Sequence, residues 1–359
     1  MSVQTRRTVT RLVSQSALSA VLLLSLGACD DDSSDLETKQ EFLACDTEVP
    51  LADANPNYPW TANAITLVSE KMSDGVFAVY DERAAQLEAM GIPLATSGGF
   101  VIGDDGVLIV ETMLNRRLFC QVIDLVKAET DKPILYAVNT SHHGDHSYGN
   151  AFLPEDVQIV QHRETVDFIG NAMAFAGDKA FMEGAFGADQ GIDEITATAA
   201  DIVVPDTGWS VDLGGKNVTV DFHGFAQTGG DVFIHAVEAD VLWVGNAVVA
   251  ASPAIPWLLD GHAVEVHATL ETVAQTLTDT TTVVYGHGAP VRGTNSLTFS
   301  VDYLTALIDG VRTGVMANST IDEVVGELEI SMASFQGYAL WGWVHQSINV
   351  PNTFAELQL

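Results

Sequence analysis

Residues 139–150 read NTSHHGDHSYGN and place His142, His143, Asp145 and His146 within five positions. Such a density of imidazole nitrogens and carboxylate is what a metal site needs, because both groups ligate divalent ions at neutral pH. The three cysteines offer no rival: none stands in a Cys-x-x-Cys pair, so a thiolate-built zinc site is not expected. A further histidine, His287, sits between glycines in VVYGHG, at the end of an apolar run. His223 lies four residues before Gln227, and on one strand period two would put both on the same face, where His223 could act as a ligand. The remaining candidates have structural readings. His162 closes an apolar run, and His267 with Glu271 spans one helical turn as a solvated pair. His142 points away from the metal. Tyr148 and Trp257 either line the mouth of the site or pack in the core.

These side chains must be held by the elements around them. PILYAVNT (133–140) reads as a buried strand running straight into the histidine-rich loop. Ahead of it, GGFVIGDDGVLIVET (98–112) reads as a hairpin about a Gly-Asp-Asp-Gly turn. Between them, 115–129 spaces Leu118, Phe119, Val122, Ile123, Leu125 and Val126 as one face of a helix. Residues 75–81 and 157–162 read as strands, 163–175 as a helix, and 176–195, rich in Gly, Asp and Ala, as a loop or short-helix insertion. Strands resume at 217–226, 231–237, 240–249 and 281–288, with a helix near 262–278 and two more at 297–313 and 320–333. Two strand-rich halves, each closed by helices, predict two packed sheets with helices outside.

The hairpin, AVNTSHHGDHSYGN, FAQTGGDVFIH, VLWVGN and VVYGHG follow one another in an order that resembles the metallo-β-lactamase-fold hydrolases, over roughly residues 62–350. The resemblance implies an α/β fold: a metallo-β-lactamase-like αββα sandwich, two mixed sheets packed face to face with helices outside. It also implies two ligand sets. The first falls on Ser141, His143 and Gln227, with Asn246 at a bridging position; the second falls on Asp145, His146 and His287. A serine hydroxyl stays protonated, and Gln227 and Asn246 offer only neutral carbonyls, so His143 is the one strong ligand left in the first set. The second set is intact. One carboxylate and two imidazoles suit one zinc ion with a fourth position for water, and the same donors suit iron or manganese. The implied activity is hydrolysis of an ester, lactone, amide or similar bond in a small molecule by metal-activated water. Asp145 would steer the water or accept its proton, and His143 and Ser141 would hydrogen-bond the substrate. The alternative is a non-catalytic lipoprotein that keeps the fold to bind a ligand or partner.

The chain has 359 residues, 47% of them hydrophobic, enough for one large core. Arg6, Arg7 and Arg11 precede a short apolar run, Ala17 to Leu26, too short to span a bilayer. LGAC then ends at Cys29 and resembles the lipobox of bacterial lipoproteins. That implies a signal peptide over 1–28, a lipid on Cys29 as the link to a membrane, and a place in the bacterial cell envelope facing the periplasm or outside. An acidic tether is expected over 29–60, and the domain over 61–359. A formal charge of -33 excludes nucleic acid as a partner. Outside the cytoplasm Cys45 and Cys120 could form one disulfide or stay as two separately buried thiols.

Overall fold

The computed structural model describes residues 40–46, 65–89, 95–187 and 189–358. Cys29, the signal peptide and most of the tether lie outside the described residues.

The first sheet has seven strands in chain order: β1 Leu67–Ser73, β2 Val76–Asp81, β3 Gly98–Ile102, β4 Val107–Val110, β5 Ile134–Val138, β6 Gln158–His162 and β7 Ile202–Val204. β1 to β4 pair antiparallel, and β4 to β7 pair parallel. The second sheet has six, with β8 Trp209–Asp212 at one edge, then β9 Asn217–Asp221, β10 Phe233–Ala236, β11 Val241–Gly245, β12 Thr282–Tyr285 and β13 Val291–Arg292. Only β11 and β12 pair parallel there, joined by a helix. The helices are α1 Ala84–Ala89, α2 Arg116–Glu129, α3 Gly144–Ser147, α4 Arg163–Gly170, α5 Ala172–Phe186, α6 Ala263–Ala274, α7 Asn295–Met316, α8 Ile321–Ser331 and α9 Val350–Leu357. A π-helical segment, Gly342–Asn349, leads into α9.

Side chains alternate along each strand, and this sorts the core into layers. On β4, Val107 and Ile109 join the cluster that contains Phe119 and Val122 of α2, while Leu108 and Val110 join Val220, Ile234 and Val284 of the second sheet. On β11, Leu242 and Val244 turn to the helices α6 and α7, and Trp243 turns inward. The result is an αββα sandwich of two mixed sheets, as expected. Trp243 ties its middle layers: its indole N–H donates to Gly98 O at 2.8 Å. It lies so close to Gly99 that a Cβ there would come within 2.7 Å of the ring, so only glycine fits.

Three expectations need correction. The helix foreseen at 163–175 breaks at Asn171, whose side chain accepts from the Met173 and Ala174 N–H groups and starts α5. The loop foreseen at 176–195 is helical as far as Phe186, because Gly177 and Gly184 face open space and Ala, Met and Phe carry the helix past them. The strand foreseen at 217–226 ends at Asp221. Strands β1, β7, β8 and β13 were not foreseen; all are edge strands, and β7, β8 and β13 have four residues or fewer.

Residues 40–46, read as part of the tether, are docked on the body. Phe42 is buried, Gln40 exchanges hydrogen bonds with the Ile134 backbone at 2.8 and 3.0 Å, and Cys45 is bonded to Cys120 of α2. The disulfide closes a loop of 75 residues in sequence, which restricts the unfolded chain. Cys120→Ser should therefore lower unfolding stability by roughly 2–4 kcal/mol in urea titration. An unchanged midpoint would show that the bond contributes nothing.

Candidate metal centre

The histidine-rich loop leaves β5 at Val138 and is fixed by backbone bonds before any side chain acts. Thr112 N donates to His146 O at 3.0 Å, Gly149 N to Met113 O at 2.9 Å, and the Asn139 side chain to His146 O at 3.0 Å. The single turn α3 then carries Asp145 and His146 inward, both buried. His287 arrives from the other sheet, just beyond β12. Its backbone N–H donates to Val249 O at 2.7 Å, and it forms an isolated bridge with Thr96. Thr96 in turn donates its hydroxyl to Asp145 Oδ2 at 2.7 Å, joining the two contributions.

Ligand atoms of Asp145, His146 and His287 lie within 4.8 Å of one another, the only such group of three among the described residues. His287 Nε2 is 3.4 Å and His146 Nε2 is 3.6 Å from Asp145 Oδ2. His146 Nε2 is buried and has no hydrogen-bond partner, while its Nδ1 sits 2.9 Å from Glu111 Oε1. That is the arrangement of a ligating imidazole: one nitrogen held by a carboxylate, the other free to bind. The three residues therefore fit an ion of the zinc, iron or manganese type.

The electrostatics agree. Burial opposes a charge on His146, but Asp145 and Glu111 outweigh it and raise its pKa to about 9. Burial likewise opposes charge on Asp145, yet His146, His287 and His143 with the Thr96 hydroxyl bring its pKa below the ordinary value. His143 and His287 are lowered to about 4 by burial and are neutral at physiological pH. The charge of the carboxylates is thus concentrated on His146, where a cation would replace a proton.

The other candidate residues take distinct places. His143 is not in the three-residue group; it lines the adjoining cavity, its Nδ1 3.4 Å from the Asn246 amide nitrogen. Gln227 and Asn246 line the same cavity, each with a buried side-chain oxygen lacking a partner, and the Ser141 hydroxyl is buried and unpartnered too. Asn246 packs against Gly286, where any Cβ would strike its side-chain oxygen. His223 is not part of the site. With its strand ended at Asp221, it lines a separate cavity with His235 and Asp240. His142 stacks on Phe168, 3.5 Å between ring centroids, away from the ligands. His162 receives the Glu164 N–H at the start of α4, and His267 lies 3.5 Å from Glu271. Tyr148 is core: buried, it donates to Asp178 at 2.6 Å. Trp257 is at the cavity.

Three contributors escaped the sequence reading. Glu111 takes a left-handed backbone, φ 66°, rare for a residue with a side chain, and accepts from the Thr140 N–H, the Thr140 hydroxyl and His146. Its signal was a lone acid ending the apolar run GVLIV. Asp231, fully buried, is pushed up to about 7 by that burial and accepts from Thr228 just beyond Gln227. Trp343, on the π-helical segment, supplies a wall of the cavity from far along the chain.

A sequence model of the family described as the Metallo-beta-lactamase superfamily matches residues 91–287, more than half of the chain. No curated protein matches it. Among solved structures, a metallo-beta-lactamase from Pontibacter korlensis is similar with a TM-score of 0.51 at 16% identity, over 67% of this chain and 99% of that one. A stereoselective inverting sec-alkylsulfatase from Pseudomonas sp. is similar with a TM-score of 0.56 at 17% identity, over 74% of this chain and 45% of that one. At such identities the likeness is one of fold.

Proposed function

Because the chain belongs to the metallo-beta-lactamase superfamily, whose members are often metal-dependent hydrolases, we propose that it is a metal-dependent hydrolase with a mononuclear site. The observation that carries this is the convergence of Asp145, His146 and His287 around an unpartnered His146 Nε2. One ion, proposed as zinc, would be held by these residues and would supply the Lewis acidity that lets water ionise near neutral pH.

The chain's own residues do the rest. Asp145, kept ionised, orients the attacking water and takes up its proton. His143, neutral at pH 7, hydrogen-bonds the substrate or the nucleophile, together with the Ser141 hydroxyl. The hydroxyl of water ends on the acyl carbon, the bond to the leaving oxygen or nitrogen breaks, and the proton goes to the leaving group. Glu111 holds His146 in the tautomer that presents Nε2. Ser141, Gln227 and Asn246 carry no charge and withhold a second strong ligand set, which is why one ion rather than two is proposed.

The test is metal content and turnover together, on a panel of esters, lactones and amides, before and after a chelator. Turnover that disappears with the ion and returns on its addition is expected. A protein that takes up no ion and hydrolyses nothing would return the chain to the binding-module reading.

The cellular place is proposed on LGAC alone: lipid on Cys29 anchors the protein in the cell envelope. Cys29→Ser should leave the protein unprocessed or release it from membranes on fractionation. Unchanged membrane attachment and processing would remove the anchor.

A further inference from the structure

The cavity beside the ligands holds about 360 Å³, at the small end of ligand pockets. Among the described residues, no lysine or arginine lines it. Beyond His143, Asp145 and His287, its polar lining is the neutral pair Gln227 and Asn246. The walls are Phe181, Met182, Phe186, Trp257, Leu259 and Trp343.

Three features bear on what would enter. An anionic group on the apolar walls, away from the ion, would meet no lysine or arginine among the described lining residues and would approach through the field of a chain with formal charge -33. Desolvating such a group without a partner is strongly unfavourable. The amides of Gln227 and Asn246 in the lining are uncharged, and an amide N–H can donate to the carbonyl of an uncharged substrate. The aromatic walls reach the surface: Phe181 is 48% and Trp343 is 41% exposed, so an apolar chain or ring can pass along them from solvent to the ligands. The wall is also built to stay in place. Asn349, closing the π-helical segment, donates to Pro256 O at 2.7 Å and accepts from Leu258 N at 3.0 Å, which fixes the loop carrying Trp257 and Leu259.

Resting on the hydrolase reading, we infer that the substrate is an uncharged ester or lactone carrying an alkyl chain or aromatic ring, and that substrates whose chain or ring bears an anionic group are rejected. The apolar part lies on Phe181, Trp257 and Trp343, and the polar part faces Gln227 and Asn246. Hydrolysis adds one water and yields the free acid and the alcohol, with no other reactant.

The experiment uses esters with one leaving group, p-nitrophenol, on the metal-loaded protein. Lengthening acetate to octanoate should raise kcat/KM by about 100-fold or more, since each buried methylene adds to binding. A neutral acyl chain should exceed its carboxylate-ended counterpart of equal length by about 100-fold. Phe181→Ala should shrink the octanoate-to-acetate ratio several-fold. Phe181→Arg, at a half-exposed position that tolerates charge, should narrow the gap between neutral and anionic chains. Binding of octyl acetamide, followed by tryptophan fluorescence, separates this inference from the hydrolase reading. Binding of the octyl amide without any turnover would sink the hydrolase and support the neutral apolar pocket. Turnover that favours the anionic chain, or is indifferent to length and charge, would keep the hydrolase and overturn the inference. Neither binding nor turnover would overturn both.

Discussion

His287→Ala protein should be isolated without a tightly held ion and without hydrolytic activity, while the wild type carries one ion per chain. His287 is the only member of the ligand group that comes from the second sheet; Asp145 and His146 share one short turn. Two donors cannot hold the ion against its hydration, so the loss should exceed the roughly 10–100-fold that follows removal of a mere outer partner. Gln227→Ala should keep the ion, because its neutral amide is no strong ligand. Elemental analysis of both variants settles the matter: two tight ions in the wild type, or one retained by His287→Ala, would refute the mononuclear set. The same titration has a pH signature. His146 without the ion holds a proton up to about pH 9, so uptake at pH 7 should release close to one proton, and affinity should rise with pH until that value is passed.

Glu111→Gln should weaken ion binding by about 10–100-fold while leaving the fold in place. Glu111 is acceptor-only, and every neighbour it meets is a donor: the Thr140 N–H, the Thr140 hydroxyl and His146 Nδ1–H. An amide nitrogen in place of one oxygen sets donor against donor, and the His146 ring loses its fixed tautomer. The left-handed backbone at Glu111 sharpens the effect, since these bonds offset its strain. Calorimetric titration with zinc, beside a thermal melt of the ion-free protein, separates the two roles. Wild-type affinity in Glu111→Gln would show that the carboxylate merely fills space.

Much of this architecture was legible in the residues. Apolar runs such as VLIV and VLWVG declared buried strands because both faces of each sheet are covered, and NTSHHGDH declared ligands by density. What escaped was what tertiary packing alone decides. A glycine reads as a breaker until its surroundings are known, so α5 was cut short at residues that face open space. His223 was placed beside Gln227 by assuming an unbroken strand, but β9 ends at Asp221 and the two part company. Glu111 and Asp231 each stand alone in sequence, and their worth comes from a histidine and a threonine that the fold brings to them. Trp343 had no local signal at all, since it reaches the cavity only through a helical segment beyond residue 340.

The division of the ligands between the sheets has a consequence for how the protein comes to be active. Chain through residue 146 holds two members of the ligand group; the third comes just beyond β12, on the sheet whose Trp243 docks on Gly98, and is bridged to Thr96. On the proposed ligand set, a complete site would therefore form only once the two sheets have packed. Before that, the histidine-rich loop offers donors but not the complete set. Once bound, the proposed ion would act as a clasp across the sandwich. It would draw the population toward the closed form by mass action, so starvation for metal would loosen the sheets as well as end the chemistry.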